Sequence, residues 1–122
     1  MKKYNPSDEF VSPEESERII KLGYDYPFLN DRILYSQAFN WFREKYNLFV
    51  EFEVDQTMEP KFCFRIYWYR LDYRGNEWFD LTNTVEHEWY LYYTYKEAEE
   101  DCVKYLIDIA EEHNELGVKL FF

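Results

Sequence analysis

Chemistry in this chain would have to start from few side chains. His87, His113, Cys63 and Cys102 are the only histidines and cysteines, the types best suited to acid–base, nucleophilic or metal work near neutral pH. Glu86-His87-Glu88, joined by His113, is the sharpest metal candidate. Metal sites need three or four convergent ligands at definite spacing, whereas adjacent residues of a strand point to opposite faces, so a solvated loop or strand entry accounts better for this triplet. Cys63 and Cys102 lie far apart without metal-ligand spacing and read as reduced, buried thiols of a cytoplasmic protein. Gly23, Gly75 and Gly117 are the only glycines and are too dispersed for a phosphate-cradling loop. No constellation supplies nucleophile, base and oxyanion donors together, so the expectation is a non-enzyme with no metal and no cofactor.

What remains is two surfaces. Leu48, Val50, Phe52 and Val54 alternate with Phe49, Glu51 and Glu53, and Phe62, Phe64, Ile66 and Trp68 alternate with Cys63, Arg65, Tyr67 and Tyr69, the pattern of half-buried strands. If helices cover the first set, the other face presents Phe49, Tyr67, Tyr69, Leu71 and Tyr73, joined by Tyr90 and Tyr92 from a later strand. Large exposed aromatic patches mark interaction sites, and interleaved arginines would suit stacked single-stranded bases. Arg65 and Arg70 differ in parity and should not share that face, and cross-strand tyrosine pairing with wet hydroxyls is the plainer account. The second surface is a C-terminal helix bearing Glu97, Glu100, Asp101, Asp108, Glu111, Glu112 and Glu115. Acids three or four residues apart repeat every ~4.5–6 Å along a helix, close to the phosphate spacing of a DNA strand. Lys104 interrupts the row, and acidic helix faces commonly serve solubility alone.

The elements that must position these surfaces are well signalled. Ser12-Pro13-Glu14-Glu15 reads as an N-cap, a first-turn proline and a capping box; Ile19, Ile20 and Leu22 give that helix an apolar edge, and Gly23 ends it. A second helix, from about Ser36 to Tyr46, carries the stripe Tyr35, Ala38, Phe39, Phe42 and Tyr46, with Trp41 off it and Asn47 as its stop. Turns are expected at Met58-Glu59-Pro60 and at Arg74-Gly75-Asn76-Glu77, leading to a short strand near Trp78–Leu81 and a last strand over about Glu88–Thr94. Thr94-Tyr95-Lys96-Glu97 opens the final helix, whose buried stripe is Ala98, Cys102, Tyr105, Leu106, Ile109 and His113, widened by Ile107 and Ala110. The expected fold is α+β, in the order α-α-β-β-β(β)-α, with three to four antiparallel strands and helices mainly on one face.

Tyr35-Ser36-Gln37-Ala38-Phe39-Asn40-Trp41-Phe42-Arg43-Glu44-Lys45-Tyr46, the strand Leu48–Phe52 that follows and the helix start Thr94-Tyr95-Lys96-Glu97-Ala98 form a pattern spanning roughly Gly23 to His113. It resembles small uncharacterised proteins of phages and integrated mobile elements from gut bacteria. That resemblance implies a genomic setting and an α+β fold, and it carries no activity and no catalytic residues.

Composition bounds the rest. The 122 residues suit one domain over 1–122, with 1–11 expected as a disordered arm and 118–122 as a short apolar tail. Aromatics at 23% build a core easily, while 32% charged residues and the lack of a ~20-residue apolar run argue against a membrane protein. Met-Lys-Lys-Tyr-Asn-Pro has no apolar stretch after its lysines, so no secretory signal is expected. The net charge is −11, and residues 83–115 hold ten acids against Lys96 and Lys104. Direct nucleic-acid binding is therefore disfavoured, and a protein partner, basic in character, is expected. The expected function is non-enzymatic protein binding by an accessory protein of a phage or mobile element, with blockade of a host nucleic-acid enzyme as one version. The alternatives are a homo-oligomer built on the aromatic face or the Leu120-Phe121-Phe122 tail, and a small single-strand-binding module.

Overall fold

The computed structural model describes residues 9–27, 32–55, 61–72, 75–81 and 92–116. Its elements run α1 (Pro13–Lys21), α2 (Tyr35–Tyr46), β1 (Leu48–Asp55), β2 (Lys61–Asp72), β3 (Gly75–Asp80) and α3 (Tyr95–Leu116). The fold is α+β: three helices and a three-stranded antiparallel sheet of order β1-β2-β3, which makes β1 an edge among the described strands.

The helix boundaries follow local chemistry. The Ser12 hydroxyl accepts from the Glu15 N–H at 3.2 Å, satisfying one of the donors that a helix start leaves open. At α2 the N-cap is Leu34, which has no side-chain acceptor, and Gln37 instead takes the Leu34 N–H at 3.1 Å. Asn47 ends α2 with φ 55°, the left-handed cap that asparagine tolerates. At α3 the Thr94 hydroxyl accepts from the Glu97 N–H and donates to the Glu97 carboxylate, both at 3.1 Å.

Register then assigns the two faces of the sheet. Leu48 opposes Trp68, Val50 opposes Ile66, Phe52 opposes Phe64, and Trp68 opposes Phe79, so these side chains share one face. Helices α2 and α3 cover it: Phe39 meets Phe52 at 5.7 Å between ring centroids, and Tyr105 meets Phe64 at 5.7 Å. The core they enclose centres on Phe42, Leu48, Ile66, Leu106 and Ile107, with Ile19 of α1 packed into it. Two expectations about this core need correction. Trp41, placed off the α2 stripe, is 1% exposed, because Tyr24 packs on it at 5.7 Å and Asp25 accepts its indole N–H at 2.9 Å. Ile20, placed on the apolar edge of α1, is exposed.

The ends of the chain's expected disorder and of its last strand also differ from expectation. Val11 is buried and its N–H donates to the Ile33 carbonyl at 2.8 Å, so residues 9–11 are seated rather than an arm. The expected last strand enters the described residues only at its end, where Tyr92 exchanges both backbone hydrogen bonds with Phe62 at 2.7 and 2.8 Å. The Met58-Glu59-Pro60 turn, the Glu86-His87-Glu88 triplet and the 118–122 tail lie outside the described residues.

Candidate functional site

The face of the sheet turned away from the helices carries Phe49, Glu51 and Glu53 of β1, Cys63, Arg65, Tyr67 and Tyr69 of β2, and Trp78 and Asp80 of β3. Alternation puts them there, and register sets Phe49 beside Tyr67, Glu51 beside Arg65, and Tyr69 beside Trp78. The aromatic members meet. The Trp78 ring lies 4.6 Å from Tyr69, 6.4 Å from Tyr67 and 4.9 Å from Phe49. Phe49 stands two strands away from Trp78, so the indole reaches across β2 to touch it. Even so, Trp78 stays 55% exposed. A tryptophan held by three rings yet more than half in water is a fixed, solvent-facing platform.

Beside the rings lies a charged group that is only partly balanced. Arg65 stands directly across from Glu51 in the register, where a cross-strand ion pair would be expected. Its guanidinium turns elsewhere, to Asp80 at 3.0 Å and Glu53 at 3.4 Å. Glu51 is left exposed and takes part in no ion pair among the described residues. Burial, with the nearby Glu51 and Asp80 carboxylates, raises the Tyr67 hydroxyl above its ordinary pKa, as an anionic setting should. Cys63 is buried on this face, its thiol donating to the Glu53 carbonyl at 3.7 Å.

Phe49, Tyr67 and Tyr69 therefore come together as expected, and Trp78 joins them although its type and spacing did not single it out. The turn expected at Arg74–Glu77 needs correction: β3 already begins at Gly75, paired with Asp72, and that register brings Trp78 opposite Tyr69. Tyr92 is a correction. It sits over the covered face, stacked on Phe64 at 5.9 Å with 23° between the rings, and its hydroxyl donates to Asp101 of α3. The isolated bridge to Phe62 sets it beside β2 on the helix side. Tyr73 and Tyr90 lie outside the described residues, and the Leu71 and Arg70 side chains are not described.

The acidic helix does not form a free anionic row. Asp101 takes the Tyr92 hydroxyl, and Asp108 and Glu111 both hold Arg18 of α1, the former at 2.9 Å. Those contacts, Glu111 first, raise the Arg18 pKa further. Glu100 faces Lys96 at 3.8 Å, and Glu97 is tied to Thr94. Glu112 stays exposed, and Glu115 belongs to the same helix. Asp101, Asp108 and Glu111 thus fasten α3 to Tyr92 and to α1.

The Tyr92–Asp101 contact has a measurable consequence. Burial first, and the bond to Asp101 second, raise the Tyr92 hydroxyl well above its ordinary pKa. A raised folded pKa means stabilisation fully present below the unfolded value of ~10 and lost as pH climbs past it. Tyr92→Phe is expected to destabilise the protein by about 1–2 kcal/mol at pH 7–8, since a hydrogen bond to a charged acceptor is removed. Urea titrations at rising pH should show that gap closing above pH ~10; a gap that stayed constant would mean the hydroxyl bond contributes nothing.

Among the described residues no three His, Cys, Asp or Glu side chains are grouped to hold a metal ion, and no helix is long and apolar enough to cross a membrane. Comparisons with protein-family models, curated proteins and solved structures give no match.

Proposed function

We propose that this chain is a non-enzymatic protein-binding protein, an accessory protein of a phage or mobile element, that holds its partner on the open aromatic face of the sheet. The supporting observation is Trp78: a large side chain fixed by Phe49, Tyr67 and Tyr69, yet more than half exposed. Tryptophan and tyrosine dominate the energetics of protein interfaces, and rigid rings lose little conformational freedom on binding. The acidic helix supports a nucleic-acid-mimic role less well, because Asp101, Asp108 and Glu111 are engaged inside the molecule.

The test is a pull-down from host lysate with three forms: wild type, Trp78→Ala, and a helix variant with Glu97 and Glu112 changed to Lys. A protein kept by wild type and the helix variant but lost by Trp78→Ala is the expected result. A protein kept by Trp78→Ala and lost by the helix variant would transfer the binding surface to α3 and overturn this reading.

A further inference from the structure

Charge narrows the partner. Among the described side chains, the open face combines an exposed indole with the carboxylates of Glu51, Glu53 and Asp80, and the guanidinium of Arg65 is already held by two of them. Glu51 is the surplus acid, two residues along β1 from Phe49 and on the same face, so about 7 Å separates their positions along the strand. We propose that this face binds an arginine-bearing segment of another protein, one guanidinium stacking on Trp78 while its N–H groups reach Glu51. This deepens the sheet-face reading above and rests on it.

Each alternative occupant meets an obstacle in the same residues. A nucleic-acid strand could stack bases on Trp78, Tyr67 and Tyr69, but its phosphates would approach the exposed Glu51 carboxylate on a chain of net charge −11. A second copy would bring Glu51 and an equally acidic surface against their own images. An arginine answers both halves of the site. Its planar guanidinium stacks on aromatic faces and is less strongly hydrated than an ammonium, and its fork suits a carboxylate. Lysine has the charge without the plane, so the site should discriminate between the two.

The experiment uses the full-length protein and calorimetric or fluorescence titration with four probes: a short capped Arg-Gly peptide, a matched Lys-Gly peptide, an oligothymidylate, and the protein itself across a concentration series. The Arg-Gly peptide is expected to bind more tightly than the Lys-Gly peptide. Trp78→Ala should weaken it by about tenfold, and Glu51→Gln by a few-fold. General attraction to an acidic protein would be equal for the two peptides and indifferent to Trp78→Ala, and that outcome overturns the proposal. So do oligothymidylate binding lost in Trp78→Ala, and a mass that rises with concentration and falls in Trp78→Ala. Glu51 is exposed, so Glu51→Gln remains informative should Trp78→Ala prove poorly folded. Failure of the Arg-Gly peptide, with lysate capture still dependent on Trp78, would remove the arginine and leave the sheet-face reading standing. Capture independent of Trp78 would remove both.

Discussion

Trp41→Ala is expected to lower stability by about 3–5 kcal/mol, near the upper range for a single core truncation. The indole is fully enclosed, with ring contacts to Phe42 at 5.2 Å, Tyr46 at 5.6 Å and Tyr24 at 5.7 Å. Its N–H also ties the helix to Asp25 in the segment between α1 and α2. Truncation removes both the packing and the tie, whereas Trp41→Phe keeps most of the buried area and frees an exposed carboxylate that water can satisfy. Phenylalanine should therefore recover more than half of the loss. Urea midpoints at fixed slope measure the two. A loss below ~1 kcal/mol for alanine would mean that Tyr24 and its neighbours do not cap the helix as described.

Ile66→Ala carries the second large effect, about 2–5 kcal/mol. Ile66 lies at the middle of β2, fully buried beneath the helices, and its carbonyl accepts the Leu81 N–H at 2.8 Å, continuing the pairing of β3. The cavity would open on the helix side, while Tyr67 and Tyr69 point the other way. Below its lowered melting point the variant should therefore keep the affinity of the open face for its ligand. Calorimetry of unfolding and a binding titration on the same sample check both halves; a parallel loss of affinity would show that the two faces of the sheet are coupled.

Much of this architecture was legible in the residues themselves. Ser12 with Glu15, Thr94 with Glu97 and the left-handed Asn47 are local signals, and each marks a helix end in the structure. Strict alternation in β1 and β2 sorted their residues into two faces, but only the packing of α2 and α3 shows which face is covered. The errors arose where tertiary neighbours decide. Trp41 is buried by a loop that helical periodicity cannot see, and Tyr92 is drawn to the helix side by Asp101 and Phe64. Trp78 was missed because its face depends on a pairing set by the turn before it, not on its own strand's pattern. Counting acids along α3 likewise overstated its free charge, since Arg18 arrives from a helix some 90 residues earlier in the chain.

The position of β1 at the edge of the described strands has a consequence for what can be added to it. An edge strand offers unpaired backbone groups to any extended neighbour, and proteins guard such edges with charge. Consider two copies aligned antiparallel along β1 with their open faces on the same side. Registers centred on Glu51 or Phe52 then set Glu51 opposite Glu51 or opposite Glu53, so like charges oppose growth into fibres or sheets of identical chains. The same spacing favours a guest strand whose alternate side chains are basic. On the proposed reading, one set of glutamates would serve both as a barrier to self-assembly and as a selection rule for a foreign strand.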